Sequence, residues 1–241
     1  MKPIDERLPL YQKLRDQIAA QIARNAWHPG EAIPTEAELA ATHKVAVGTV
    51  RKAIDVLVAE GLVERSQGRG TFVRRPNFDS SLFRFFRYQK ENGMRRVPES
   101  RILQREGLAG PAEVTAALDV PKGSKVIRIF RLRLLDGSPV LAEEIWLPKA
   151  RFAPILKLTP EEIGPLLYPT YERVCGEVVA RAEETLTVEP LDQPTARLLA
   201  LPPGSPGVVI ARLAFGYDGR PLEWRRSRGP AATFRYQIEI R

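Results

Sequence analysis

The feature that most limits how this chain can fold is a change in its hydrophobic periodicity near residue 75. Before that point, apolar residues recur every three or four positions, which is the spacing of helices packed on one side. From about residue 97 onward they alternate in long stretches, which is typical of strands that present one face to a core. We therefore predict a helical domain followed by a domain built mainly on a sheet.

The first two helices have clear boundaries in the sequence. An apolar residue recurs every fourth position over residues 10–22, and Pro29-Gly30 ends this pattern. A second helix is expected to begin at Thr35, because Glu38 lies three positions later and completes a capping box. It should run to about His43.

A third helix is predicted up to Gly61, which ends it. Its inward apolar face is expected to consist of Val50, Ala53, Ile54, Leu57 and Val58. Its outward residues are expected to be Gly48, Lys52 and Asp55, with Thr49 and Arg51 on the flanks.

Two short strands, over residues 62–65 and 71–74, should follow the third helix. Between them, Gln67-Gly-Arg-Gly70 suits the tip of a tight hairpin, because glycine adopts the backbone angles that such turns need. Three helices and a hairpin in this order within about 75 residues predict a winged helix-turn-helix, which is a DNA-binding module.

Alternating stretches after residue 97 predict strands, and short helical patterns interrupt them. The strands are expected over residues 97–106, 126–135, 140–147, 178–188, 208–217, 222–226 and 234–240. The helices are expected over residues 82–91, 112–118, 165–174 and 193–200. Because strands joined by short turns dominate, the predicted fold class is α+β, with a mostly antiparallel sheet in the C-terminal domain.

Two of the turns share the pattern Asp-Gly-x-Pro, at residues 136–139 and 218–221. Each lies between two predicted strands, and each second strand carries glutamate: Glu143 and Glu144 in the first case, Glu223 in the second. The pattern fits a weak internal duplication. It fits two unrelated hairpins that use common turn residues equally well.

Positive charge is concentrated around the predicted domain boundary. Residues 65–105 contain eleven lysines and arginines against three aspartates and glutamates, an excess equal to the net charge of +8 for all 241 residues. Such a zone permits binding to nucleic acid.

The single cysteine, Cys175, excludes an internal disulfide, and no spacing of cysteine and histidine suits a metal site. Since no apolar run approaches the roughly 20 residues that span a bilayer, we expect a cytoplasmic protein that needs no cofactor and contacts no membrane.

Six short motifs follow one another in the first 73 residues. They are Pro9-Leu-Tyr-Gln, Pro29-Gly, Pro34-Thr-Glu-Ala-Glu-Leu-Ala, Gly48-Thr-Val-Arg-Lys-Ala, Glu60-Gly-Leu-Val and Gly68-Arg-Gly-Thr-Phe-Val. Each motif is common alone, but their order and spacing together resemble the GntR superfamily of transcription regulators.

The C-terminal domain carries a second set of motifs. They are Arg131-Leu-Arg133, the first Asp-Gly-x-Pro turn, Glu143-Glu-Ile-Trp-Leu-Pro148 and Tyr217-Asp-Gly-Arg-Pro-Leu-Glu223. This set resembles the UTRA effector-binding domain of the HutC-type subfamily. The resemblance implies a chorismate-lyase-like sheet, a homodimer and a palindromic double-stranded DNA operator. We accordingly expect a DNA-binding domain over residues 1–75, a linker over 76–81, and an effector-binding and dimerisation domain over 82–241.

The start of the third helix is expected to enter the major groove and contact base edges. Arg51 can donate two hydrogen bonds to guanine, Gly48 allows close approach of the backbone, and Arg69 can enter a minor groove or contact phosphate. The predicted DNA-binding residues are Thr35, Lys44, Gly48, Thr49, Arg51, Lys52, Arg65, Gly68, Arg69 and Gly70. The alternatives are that Arg51 is simply solvated and that Gly68 and Gly70 only form a turn.

Three positions depart from the resemblance. Family members often carry arginine where this chain has Ala37 and Val47, and serine where it has Ala46. Because alanine has no side-chain oxygen, the third helix should lack a side-chain N-cap. The operator of this protein is therefore expected to differ from the common family site.

The resemblance also implies a set of effector contacts, to which Arg84 can add a third positive group. The predicted effector-binding residues are Arg84, Arg131, Arg133, Glu143 and Glu223. Residues 131 and 133 lie two apart on a predicted strand, so their side chains share a face. Paired guanidinium groups bind carboxylate or phosphate bidentately, which predicts a small anionic effector. The alternative is a surface ladder of salt bridges from these arginines to Glu143 and Glu144.

Together these features predict a sequence-specific DNA-binding transcription regulator whose operator affinity depends on a small-molecule effector. One alternative is an enzyme in which Glu143, Glu144 or Glu223 acts as acid or base. We expect no enzyme, because the sequence contains no nucleophile–base motif, phosphate loop or metal cluster. The other alternative is an architectural DNA binder that has no ligand.

Overall fold

The computed structural model describes residues 8–75 and 97–234. The chain forms two compact units, one consisting mainly of residues 1–76 and the other of most of the remaining chain. The predicted linker over 76–81, the predicted helix over 82–91 and its Arg84 lie outside the described residues, as does the predicted last strand apart from Phe234. Within the described residues, no helix combines the length and apolar content that crossing a membrane requires.

The N-terminal unit has the predicted order of three helices and a hairpin. Its elements are α1 (Leu10–Ala23), α2 (Glu36–His43), α3 (Val47–Ala59), β1 (Val63–Ser66) and β2 (Gly70–Val73). The two strands pair antiparallel, and an isolated bridge between Ala32 and Phe72 adds a third backbone segment to the hairpin. The winged helix-turn-helix prediction is therefore confirmed for this unit.

The core of this unit lies between α1 and α3. Leu14, Ile18 and Ile22 of α1 are buried, as are four of the five predicted inward residues of α3. The prediction was wrong for Val58, which is 36% exposed. At roughly 100° per residue, Val58 is rotated about 80° from Val50 around the helix axis, so it falls beyond the edge of the buried stripe.

The C-terminal unit is a six-stranded, mostly antiparallel sheet with short helices, as predicted. Its strands are β3 (Glu99–Ala109), β4 (Lys125–Leu135), β5 (Ser138–Pro148), β6 (Val179–Pro190), β7 (Pro206–Gly216) and β8 (Pro221–Pro230). Its helices are α4 (Ala112–Ala117), α5 (Lys149–Phe152), α6 (Pro160–Ile163), α7 (Leu167–Cys175) and α8 (Gln193–Leu198), with 3-10 turns at Ala153–Lys157 and Ala231–Thr233. The strand order is β3-β4-β5-β8-β7-β6.

Both faces of the sheet are covered by helices. On one face, a cluster that includes Ile129 and Ile145 of the sheet packs against Phe152, Leu167 and Tyr171 from the segment between β5 and β6. On the other face, α4 and α8 pack through two separate apolar clusters. The first face is called the α7 face below, and it carries the charged residues of the candidate site.

The two halves of the sheet repeat one another in detail. Each half runs strand, six-residue helix, strand, Asp-Gly turn and strand, and the sheet order reads the same from either edge. The residue that follows each six-residue helix by two positions has positive φ, 50° at Asp119 and 56° at Ala200. The strand register also shifts at equivalent points, after Arg133 and after Ala214. Because these matches extend well beyond turn residues, they favour the internal duplication over two unrelated hairpins.

Candidate functional site

The first turn of α3 presents an open surface. Gly48, Arg51 and Lys52 are exposed, and Thr49 is half-buried. A Cβ atom added at Gly48 would meet nothing within 4 Å, so this stretch of backbone is accessible to a partner. Ala46, the N-cap residue before this helix, provides no side-chain hydrogen bond to it, as predicted.

Glu36, a residue that the sequence reasoning missed, holds two of the predicted DNA-binding arginines. Both Nε and Nη2 of Arg51 donate to Oε2 of Glu36, at 3.0 and 2.9 Å. Nη2 of Arg65 donates to Oε1 of the same carboxylate at 3.5 Å, and Nη1 of Arg65 lies 2.6 Å from Asp55. The Arg51 side chain remains 62% exposed, so the ion pair does not bury it.

The hairpin tip has the geometry that its glycines suggested. Gly68 and Gly70 have φ values of 72° and 116°, which side chains with a Cβ rarely adopt. Between them, the guanidinium of Arg69 lies 5.6 Å from the centre of the Phe72 ring. The glycines therefore form the turn itself, and their DNA role stays a prediction.

Two predicted DNA-binding residues have structural roles at the ends of α2. The side chain of Thr35 accepts the Glu38 N–H, and the Glu38 carboxylate accepts the Thr35 N–H, which confirms the capping box. Lys44 ends α2 in the left-handed region, with φ of 52°. A phosphate contact by either residue must therefore come in addition to this role.

Arg131 and Arg133 lie side by side on the α7 face, and both are completely buried. Nε of Arg131 donates to Oε2 of Glu143, its partner on the next strand, at 2.7 Å. The alternative of a surface ladder is wrong, because Arg131, Arg133 and Glu143 are only 0–1% exposed. Glu144 belongs to the opposite face, where it pairs with Arg128 at 2.7 Å.

One backbone carbonyl receives hydrogen bonds from both of these arginines. Nη1 of Arg131 and Nη1 of Arg133 each donate to the carbonyl oxygen of Pro165, in the loop between α6 and α7. Nη2 of Arg133 donates to the carbonyl of Pro98 at 2.9 Å, and Nη1 of Arg131 also contacts Ser100 at 3.4 Å. The guanidinium groups thus converge on a single oxygen atom.

Glu223 lies in a second part of the same network. Its carboxylate accepts hydrogen bonds from the hydroxyls of Tyr171 at 2.7 Å and Tyr168 at 3.3 Å, and from Nη2 of Arg225 at 2.8 Å. Nη1 of Arg225 lies 3.5 Å from Glu143 and so links the two glutamates. The two glutamates, the two tyrosines and Arg225 therefore form one connected set of polar contacts.

Simple spacing could have identified these additional residues. Ser227, whose hydroxyl donates to Glu143 at 2.9 Å, and Arg225 follow Glu223 at intervals of two on one strand, so the three side chains share a face. Tyr168 and Tyr171 are three positions apart on a predicted helix and also share a face. What the spacing does not reveal is that the helix folds over that strand.

The internal duplication extends the network into the second half of the sheet. Arg212 occupies the position in β7 that Arg131 occupies in β4. Its Nε donates to Glu184 at 2.6 Å, and its Nη1 donates to the hydroxyl of Tyr168 at 3.2 Å. Polar contacts therefore run across the α7 face from β4 to β6.

The surroundings of Glu143 fix its charge. Burial opposes ionisation, but the positive charges of Arg131, Arg225 and Arg133, with a hydrogen bond from Ser227, outweigh burial and hold the pKa of Glu143 well below its ordinary value. The carboxylate is consequently ionised at neutral pH and acts only as an acceptor. Such a group is poorly suited to be the acid or base of an enzyme working near pH 7. In the residues that the structure describes, no cluster of three or more potential ligands could hold a metal ion.

The lowered pKa of Glu143 predicts an acid-sensitive fold. Because the folded-state pKa lies below the unfolded value of about 4.3, the ionised group stabilises the fold fully above that value, and this contribution disappears as the pH falls further. We expect the free energy of unfolding of the wild type to approach that of Glu143→Gln between about pH 4.5 and pH 2. Urea denaturation across this range measures the difference. A constant difference would show that Glu143 does not titrate there.

Comparison with known proteins gives consistent matches along the chain. Residues 10–73 match the family "Bacterial regulatory proteins, gntR family", and residues 93–235 match the UTRA domain. The transcriptional regulator SmoD of Agrobacterium fabrum is 30% identical over 241 residues, covering 100% of both chains. The histidine utilization repressor of Pseudomonas aeruginosa is 31% identical, covering 85% of this chain and 80% of its own. Among solved structures, the ligand-binding domain of a GntR-family regulator from Bordetella bronchiseptica has 31% sequence identity to this chain and a TM-score of 0.54. The match covers 59% of this chain and 91% of that domain.

Proposed function

The chain belongs to the GntR family of bacterial regulatory proteins and carries a UTRA domain, and we propose that it is a cytoplasmic, homodimeric repressor with a palindromic operator and a small anionic effector. Its general role follows from the family. It is a DNA-binding transcription regulator with an effector-binding domain, and not an enzyme.

We assign base reading to the first turn of α3. Arg51 offers two donors to guanine, and the open backbone at Gly48 permits close approach. Lys44, Lys52, Arg65 and the hairpin tip would supply phosphate or minor-groove contacts, with Thr35 and Thr49 beside them. In a twofold dimer, two copies of α3 would contact half-sites about 34–36 Å apart, which requires a palindromic operator.

The observation that carries the effector proposal is the shared carbonyl of Pro165. Two buried guanidinium groups donating to one oxygen form a site for an anionic oxygen, which would bind them more strongly than a neutral carbonyl does. An effector carboxylate or phosphate that replaced this carbonyl would displace the loop between α6 and α7. Since α7 carries Tyr168 and Tyr171, the displacement would reach Glu223 as well.

Stability alone does not call for a buried ionic network of this kind, which supports a binding role. Removing each ion from water costs several kcal/mol, and well-packed apolar residues are often at least as stabilising as a buried ion pair. Effector binding can shift the equilibrium between two arrangements of the loop only by its difference in affinity for them. Operator affinity would follow that equilibrium.

A thermal-shift screen against small carboxylates, phosphates, sugars and amino acids tests the effector class. An effector at a hundredfold excess over its Kd should stabilise the wild type by about 2.7 kcal/mol. Arg133→Lys should lose most of this shift, because lysine keeps the charge but cannot donate the paired hydrogen bonds of a planar guanidinium group.

The matched control is Arg128→Lys, which changes the same residue type on the opposite face of β4 and should keep the shift. If no anion stabilises the wild type, while the protein still binds its operator, the anionic effector is wrong. An architectural DNA binder without a ligand would then be favoured.

A further inference from the structure

An exposed valine stands at the start of the helix to which we assign base reading. Val47 is the first residue of α3 and is 42% exposed. It lies next to the exposed Gly48 and about one helical turn before the exposed Arg51. An apolar side chain at such a position loses its contact with water only if a partner covers it.

The local structure does not require valine here. The positions of a hydrophobic staple around this helix start are Val45 and Val50, and Val50 is the one completely buried. Valine also has a lower helix propensity than alanine, because its branched side chain is restricted in a helix. Helix stability alone would therefore favour a different residue at position 47.

The spacing from Arg51 indicates what Val47 can reach. Residues four apart lie on one helix face and are separated by about 6 Å along the axis, close to two base-pair steps of about 3.4 Å each. In the major groove, the C5-methyl group of thymine is the apolar group on a base edge, and apolar side chains contact it.

We propose that Val47 reads a thymine by packing on its C5-methyl group, one or two base pairs from the guanine that Arg51 contacts. This inference rests on the proposed role of α3 in base reading. It assigns a specificity-determining contact to a residue with no hydrogen-bonding group. It also predicts that the operator half-site contains a thymine at this distance from a guanine.

Selection of binding sequences from random double-stranded DNA by the full-length protein supplies the operator. Each thymine is then replaced in turn by deoxyuridine, which removes only the methyl group. At one position, this replacement should lower the affinity of the wild type for the operator about fourfold, as expected for the loss of one buried methyl-sized group of about 0.8 kcal/mol. For Val47→Ala the same replacement should change affinity less than about 1.5-fold, while Val47→Ile should retain the wild-type effect.

The chain offers a matched control at Val58, an exposed valine on the same helix that is 36% exposed. Val58→Ala should keep the full deoxyuridine effect. If selection enriches no sequence, the proposed base reading by α3 fails. If an operator is enriched but no deoxyuridine effect depends on residue 47, base reading stands and the inference about Val47 is overturned.

Discussion

Glu143→Gln should lower the free energy of unfolding of the C-terminal unit by about 3–5 kcal/mol, the range for removing one partner of a buried ion pair. The substitution keeps the size of the side chain but removes its charge. Arg131 and Arg225 would then remain buried at 1% and 4% exposure without that negative charge beside them. Urea denaturation in a Trp27→Phe background, where the remaining fluorescence comes from Trp146 and Trp224 of this unit, measures the loss.

The neighbouring residue provides the control for this prediction. Glu144 also pairs with an arginine, but its side chain is 22% exposed and faces the other side of the sheet. Glu144→Gln should cost no more than about 1 kcal/mol, as for partly solvated ion pairs. Equal losses for the two variants would show that the position of Glu143 in the buried network has no special importance.

Arg51→Ala should weaken operator binding about 5- to 150-fold, which corresponds to the roughly 1–3 kcal/mol of one bidentate arginine–guanine contact. The loss should be accompanied by relaxed preference at one base position, because a base contact carries sequence information that a phosphate contact does not. Fluorescence anisotropy with the selected operator, and with operators altered at each base pair, measures both effects. Uniform weakening on all sequences would instead identify Arg51 as a phosphate contact.

Two further variants separate base reading from general charge. Arg197→Ala removes the same charge from an exposed site on α8 and should leave base preference unchanged. Glu36→Gln should strengthen DNA binding, since Arg51 and Arg65 would no longer share their donors with a carboxylate. Weaker binding by Glu36→Gln would mean that the ion pair is needed to orient Arg51 on DNA.

Local patterns in the sequence accounted for most of the secondary structure. The capping box at Thr35, the glycine-rich hairpin tip and the alternation in β4 and β5 each specify a conformation through neighbours a few positions away. The bounds of the three N-terminal helices and of the central strands were predictable for this reason. The short helices α5 and α6 were missed, because elements of four residues contain too few positions to show a period.

The candidate sites were predictable only in part. The positions of Arg131 and Arg133 on one face follow from their spacing, but their complete burial does not. The same alternation would describe an exposed strand, which is why a surface ladder was an equal alternative. Glu36 and Arg51 are 15 positions apart, and no local pattern relates them.

By itself, the sequence determined the order of the elements, the N-terminal DNA-binding module and which residues share a strand or helix face, because these depend on short-range geometry. The tertiary structure decided which faces meet. The segment carrying α5 to α7 folds back over the sheet, so that Arg131 and Arg133 converge on the Pro165 carbonyl and Tyr171 contacts Glu223. These contacts join residues 32 to 52 positions apart. Contacts over such distances in the sequence depend on which apolar surfaces pack together, and no periodic pattern in the sequence indicates them.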